Sequence, residues 1–558
     1  MGCMISPVFE PKRRFRIIWR NGSQQKKTPV YLMKLPVALR KLYLNDLWLL
    51  RVLLAFMVLC YGVILRKVGV HWPLNRTFNS MLDHLVHWRF DVDPNIVGSE
   101  GFLRNGHVYS YWGITCALLR LPLLFFHRLD LDVTAWSCLV AVCLAGMMKV
   151  RTVLFLRRYC GPTTASEGAF VLMLAYIVLG GAEISYLKSS TYQEVVLWAI
   201  AFAAVFVYFA VKGLVSGQFT VVILSWMALA AGLATLTRVS TGFGLCAAFG
   251  LLLLVLLVEE LRAGRAVFTR RFLLPAMVLA AFLIVVGTVN YQRWGNPTTF
   301  ADYTLYLSFH RDLLKMERYG LFNLARVPFG LSYYFLPLAA LQGANGLFDN
   351  TQTRLMFAAE LPPSSFFLTD LLPIAFIVFL AMALWPARRI FPQRLRKGAR
   401  FVPCTNPLPS SRIFSPAQGL ALAAGLAVPC VLMLTTIYMS YRYRMEFYPE
   451  IDLLAFLGLY ATASNPNLLA RFNRRRRWML AATLISILSA FAALILYWFS
   501  NFGVSQRDLP NGLVDHYAHS LLPHLPQFLM GVVAAVLTLF LAGFLYLLHF
   551  ERVDNLEA

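Results

Sequence analysis

The chain has 558 residues, of which 59% are hydrophobic and 14% charged, and its mean hydropathy is +0.62; soluble domains carry nearer a quarter charged residues, so that class is excluded. A formal charge of +24 would point a soluble protein toward nucleic acid, but here Lys and Arg lie in short loops between apolar runs, the pattern that sets membrane topology. No nucleic-acid partner is expected.

Residues 1–46 form a basic segment with Lys12, Arg13, Arg14, Arg16, Lys26 and Lys27. No short apolar region with a cleavage site follows it, so the N-terminus is expected in the cytoplasm and the first span stays in place. Residues 47–550 read as one all-α polytopic bundle, because a crossing helix needs roughly 20 apolar residues and satisfies its own backbone. About twelve spans are expected, at 47–65, 133–156, 168–187, 195–211, 220–236, 241–258, 272–289, 366–385, 418–438, 447–462, 478–499 and 528–548. A short cytoplasmic tail, 551–558, closes the chain. The run 114–126 is short and interrupted by Arg120 and Pro122, so it reads as re-entrant or interfacial. Residues 321–341 hold Arg326, Pro328 and Pro337 and are assigned to the interface. With that count, the strongly basic loops 259–271, 388–400 and 471–477 all fall inside, as for a multi-pass protein of a cell's inner membrane. The outer face then collects 66–113, 188–194, 290–365, 440–446 and 501–527.

Charges near span ends are expensive in a bilayer, so those gathered outside are candidate functional groups. Asp91 and Asp93 flank Val92 before Pro94, with Glu100 following; they suit a general base, although an Asp-Pro turn alone accounts for the pattern. His84 and His87 are three apart and, with Asp91 or Asp93, are weak candidates for a divalent cation, the one cofactor weighed. Glu183 and Glu194 stand at the ends of consecutive spans. The outer basic residues are Lys188, Arg238, Arg293, Arg311, Arg326, Arg442 and Arg444. Guanidinium forks suit phosphate oxygens, and neighbours such as Tyr291, Trp294, Tyr441 and Tyr443 suit a sugar or an isoprenoid tail. The cysteines, among them Cys60, Cys138, Cys143, Cys246 and Cys430, sit mostly in apolar stretches and read as core residues without disulfides.

Four segments carry a resemblance. An acidic outer loop after the first span leads through Gly106-His107-Val108-Tyr109-Ser110-Tyr111-Trp112-Gly113-Ile114 to Leu119-Arg120-Leu121-Pro122. Gly232-Leu233-Ala234-Thr235-Leu236-Thr237-Arg238 ends a span in a basic residue. Asn290-Tyr291-Gln292-Arg293-Trp294-Gly295-Asn296-Pro297 follows the seventh, and Arg442-Tyr443-Arg444-Met445-Glu446-Phe447-Tyr448-Pro449 comes late in the chain. In this order they resemble the GT-C superfamily of polytopic glycosyltransferases. The resemblance implies sugar transfer on the outer face from a polyprenyl-phosphate donor to a lipid, glycan or protein acceptor. By position, the acidic role of the first loop falls on Asp91 or Asp93, and a second acidic site on Glu194. The chain departs from the pattern in having Asp-Val-Asp in place of an adjacent Asp-Glu pair, and Glu446 in place of a late Asp. Candidate substrate contacts are Arg442, Arg444, Arg293, Arg238, Tyr111, Glu100 and Lys188. Two other readings fit a chain of this build: a secondary transporter, and a lipid-linked oligosaccharide ligase or polymerase.

Overall fold

The computed structural model describes residues 46–67, 73–161, 164–266, 269–307, 318–336, 358–359, 364–384 and 414–499. Its helices are α1 (Asp46–Lys67), α2 (Thr77–Val86), α3 (Pro94–Val97), α4 (Thr115–Leu118), α5 (Leu121–Phe125), α6 (Thr134–Cys160), α7 (Thr164–Gly180), α8 (Ala182–Ser185) and α9 (Thr191–Ser216). They continue with α10 (Val221–Thr235), α11 (Val239–Arg262), α12 (Arg270–Trp294), α13 (Val327–Phe335), α14 (Phe366–Thr369), α15 (Leu371–Leu384), α16 (Pro416–Thr435), α17 (Tyr448–Ser464), α18 (Pro466–Arg474) and α19 (Arg476–Phe499). Strands β1 (Phe102–Arg104) and β2 (His107–Tyr109) pair antiparallel, while β3 (Ala358–Ala359) and β4 (Tyr438–Met439) pair in parallel.

Among the described residues, eight helices are long and apolar enough to cross a membrane: α1, α6, α7 continued by α8, α9, α11, α12, α16 and α19. The chain is a multi-pass, all-helical membrane protein with two small ladders. Helices α10 and α15 are apolar but shorter. The expected span 366–385 is broken at Asp370, between α14 and α15. The expected spans 447–462 and 220–236 correspond to α17 and α10, and 528–548 lies outside the described residues. The run 114–126 folds as α4 and α5, too short to cross, with Phe125 and Phe126 exposed.

Contacts between helix ends define two faces. At one, Arg157 and Arg158 of α6 pair with Asp46 of α1, and Arg157 also pairs with Glu167 of α7. Tyr159 there meets Tyr460 of α17 edge to face, and Gln418 of α16 donates to Glu259 of α11. At the opposite end, Thr191 of α9 donates to Leu74, Arg293 of α12 donates to Trp112, and Arg238 before α11 pairs with Glu446. These contacts give the bundle an Asp46 end and a Glu446 end, and α11 is held at both, by Glu259 at the first and by Arg238 before it at the second.

Small residues let the helices approach closely, as in lipid where apolar burial alone does not drive association. A Cβ on Gly425 of α16 would lie 2.1 Å from the backbone nitrogen of Ala248 in α11. One on Gly458 of α17 would lie 2.0 Å from the carbonyl oxygen of Phe376 in α15. Helix α9 is packed on all sides, and 89% of its apolar window is buried, which fixes the residues at its head.

Candidate functional site

The outer segment 73–133 is built in place by local signals. Asn105 and Gly106 both have positive φ, 51° and 79°, as a two-residue type I′ hairpin turn requires, and they join β1 to β2. The hairpin pins Phe102 at the centre of an aromatic group, with ring centroids 4.8 Å from Tyr306, 5.4 Å from Trp294 and 5.8 Å from Tyr111. At its far end the segment sits on the α10–α11 corner: Gly113 and Thr115 donate backbone hydrogen bonds to Thr237 and Leu236. A Cβ on Gly113 would come within 1.9 Å of the Leu236 carbonyl oxygen, so only glycine allows this seat. The next residue, Arg238, is thereby fixed against the outer segment.

Seven half-buried side chains from distant parts of the chain meet there. The Arg442 guanidinium lies 4.4 Å from the Tyr192 ring centre and 5.7 Å from that of Tyr443, and the Arg238 guanidinium lies 5.3 Å from the Tyr443 ring centre. Each such contact contributes roughly 0.5–2 kcal/mol. Glu100 accepts a hydrogen bond from the Tyr306 hydroxyl at 2.8 Å and another from Tyr192. Tyr111 lies in the field of all of them. Burial pushes its hydroxyl up to about 12; Arg442 and Arg238 pull the other way, while Glu100 and Tyr443 add to the rise. Glu446 holds Arg238 from beneath and also accepts from Ser240 and Thr241, both at 2.6 Å. The result is a cleft at the Glu446 end with two guanidinium groups, tyrosine rings packed against them, the Glu100 carboxylate, and Glu446 engaged by Arg238.

Of the residues singled out from sequence, Glu100, Tyr111, Arg238 and Arg442 come together in this cleft. Asp91 does not join them. Burial opposes its ionisation, but hydrogen bonds from Arg89, His84 and His107 outweigh that and hold its carboxyl well below the usual carboxylate range. All three partners belong to its own segment. Asp93 caps α3, accepting from the Asn95 amide at 2.8 Å. Glu194 is fully buried and forked by Arg120, whose Nη2 lies 2.8 Å from Oε2. Arg120, an interruption in the sequence reading, thus clasps α9 to the outer segment.

Arg293 is also buried and donates to the Trp112 carbonyl at 2.8 Å. Arg326 donates to the carbonyls of Leu321, Thr435 and Gly320, each at 3.0 Å. Arg444 lies fully buried over Phe366 and pairs with Asp370, which also accepts from Tyr176 and Tyr448. Lys188 is buried in the turn before α9, and Arg311 lies outside the described residues. The weak metal set is not assembled. His84 bonds Asp91 and His87 bonds the Asp83 carbonyl, each at 2.8 Å, and among the described residues no three His, Cys, Asp or Glu side chains are grouped to hold a metal ion.

Sequence reasoning does not reach Tyr303 and Tyr306, which face the cleft from a turn pairing with the hairpin. Nor does it reach a buried triad, in which Lys149 of α6 lies 2.6 Å from Glu183 of α8 and 2.9 Å from Asp452 of α17. The three lie far apart in the sequence, and only the folded bundle joins them. Comparison of the chain with family models, curated protein sequences and solved structures found no match.

Proposed function

We propose that this chain is a membrane-embedded glycosyltransferase that moves a sugar from a polyprenyl-phosphate donor to an acceptor hydroxyl, and that the cleft of Glu100, Tyr192, Arg238 and Arg442 is its active site. The observation that carries the reading is the meeting of two guanidinium groups, the tyrosine rings packed against them and the Glu100 carboxylate at one end of a bilayer-spanning bundle. Arginine forks match the oxygens of a phosphate, and tyrosine faces match a sugar ring or an isoprenoid chain.

In the proposed reaction the acceptor hydroxyl gives its proton to Glu100 as its oxygen bonds to the sugar's anomeric carbon. The bond from that carbon to the donor phosphate breaks, and the phosphate leaves with the electron pair. Arg238 and Arg442 stabilise the charge that develops on it. Hydrogen bonds from Tyr306 and Tyr192 hold the Glu100 carboxylate in place for that step. In this scheme Asp91, already saturated with donors, positions the outer segment, and Glu100 takes the role of base. We assign the Glu446 end to the non-cytoplasmic face, where polyprenyl-phosphate sugars are used.

Glu100→Gln keeps the shape and removes the base. It is expected to lower transfer by about 10²–10⁴-fold with unchanged expression and melting temperature, read by mass spectrometry of lipids and surface glycans from cells carrying wild type, variant or neither. Wild-type glycans in the variant cells would refute the assignment.

One observation favours a second reading, an ion-coupled transporter: the Lys149, Glu183 and Asp452 triad joins three helices inside the bundle, and intramembrane ionisable groups commonly mark ion pathways. Purified protein in liposomes distinguishes the two. Solute uptake driven by an ion gradient and lost in Asp452→Asn supports transport and removes the case for transfer.

A further inference from the structure

Five arginines, Arg471, Arg474, Arg475, Arg476 and Arg477, crowd the corner between α18 and α19 at the Asp46 end, and the sequence has no Asp or Glu between Asp452 and Asp508 to neutralise them. At the same end Arg157, Arg158, Arg265 and Arg271 each pair with a carboxylate. Arg471, Arg474, Arg475 and Arg477 are exposed and make no ion pair among the described residues. Arg476 and Arg477 also open α19, where the positive end of the helix repels cations, and no acidic residue stands in its first turn. So much like charge on a helix N-terminus calls for an anion.

A groove of about 810 Å³ opens beside this corner, between α15, α18 and α19. One wall is a stripe along α15, Leu371, Ile374, Val378 and Met382, at helical spacing; Met479 and Ala482 of α19 face it. From Leu371 to Met382 the stripe runs about 16 Å at 1.5 Å per residue. Arg471, Arg474, Arg475 and Trp478 line the groove at its basic end. Trp478 is 77% exposed, as an aromatic anchored at a membrane interface would be. Val378 is likewise half exposed, so the apolar wall is open among the described residues.

We infer that this groove binds a phospholipid of net negative charge, with its phosphate against Arg471, Arg474 and Arg475 and one acyl chain along the α15 stripe. The charge selects the headgroup and the stripe selects the chain. A zwitterionic lipid brings no net charge to the arginines, and inorganic phosphate brings nothing to the stripe. The site lies at the end of the bundle opposite the Glu100 cleft, so it stands whether or not that cleft transfers sugar.

The test uses full-length protein in phosphatidylcholine nanodiscs, with lipid retention read by native mass spectrometry and stability by melting temperature. Phosphatidylglycerol is expected to be retained and to raise the melting temperature, while added phosphatidylcholine and inorganic phosphate do neither. The triple variant Arg471→Gln, Arg474→Gln, Arg475→Gln is expected to lose phosphatidylglycerol retention at least tenfold, while melting like wild type in phosphatidylcholine. Val378→Trp, which fills the groove without touching the charge, is expected to lose it too. Three results overturn the inference: equal retention of both lipids, retention unchanged in the triple variant, or an equal melting shift with inorganic phosphate alone. Disulfide formation between Val378→Cys and Leu537→Cys in lipid-depleted protein would overturn it as well, because the chain's own 528–548 segment would then occupy the groove.

Discussion

Asp91 shows how one carboxylate is bound into local structure. His84, Arg89 and His107 each point a nitrogen at it, and together they keep it ionised far into the acid range. Because its folded pKa is depressed, its contribution to stability is whole above the ordinary carboxylate value and is lost as pH falls through the lowered one. Asp91→Asn is therefore expected to lower the melting temperature at pH 7, and the gap from wild type should narrow as both are titrated toward pH 3. A constant gap would mean that the hydrogen bonds, and not the charge, account for the effect. Two carboxylates flanking Val92 draw attention in the sequence, but spacing along a loop does not say which side chain its neighbours will saturate. Glu100 is legible only as one more acid in the same stretch. Its role depends on Tyr306, about two hundred residues later, and no local pattern carries that contact.

Elements meet at positions the sequence marks faintly. The Arg120–Glu194 pair clasps α9 to the outer segment with both partners fully desolvated. Removing one partner leaves a buried charge, so Glu194→Gln is expected to cost about 3–5 kcal/mol, while joint replacement by apolar residues of similar volume should recover most of it. Chemical denaturation of the three variants in detergent checks this; a double variant no more stable than the single would contradict it. Gly425→Val on α16 drives a side chain into the backbone of α11, and a loss of at least about 1–3 kcal/mol is expected. The eight long helices are readable from apolar run length, because the bilayer imposes that length on any crossing helix, whereas the break of 366–385 at Asp370 is not. The hairpin at Asn105-Gly106 was also readable in principle, since that dipeptide between alternating apolar residues is a strong turn signal. An all-helical expectation passes over it.

At the scale of the molecule the two ends differ in character. At the Glu446 end Arg238, Arg293, Arg442 and Arg444 are engaged by carboxylates, carbonyls or aromatic faces, whereas Arg471, Arg474, Arg475 and Arg477 at the α18–α19 corner make no ion pair among the described residues. The buried triad of Lys149, Glu183 and Asp452 ties α6, α8 and α17 between these ends, and Lys149→Met is expected to destabilise the bundle, since it strands two carboxylates in a dry interior. Melting unchanged by that substitution would show that the carboxylates are already neutral. Topology is read from basic loops, of which 388–400 lies outside the described residues; the triad is not legible, because no local pattern pairs Lys149 with Glu183 or Asp452.

The cleft gathers Glu100 and Tyr111 from early in the chain, Tyr192 and Arg238 from its middle, and Arg442 and Tyr443 from near its end. During synthesis the first of these emerges long before the last, and the intervening helices must all be threaded into the bilayer before the parts can touch. A nascent chain halted anywhere short of Tyr443 therefore lacks part of this cluster, and the whole of it exists only after the late helices have joined the early ones.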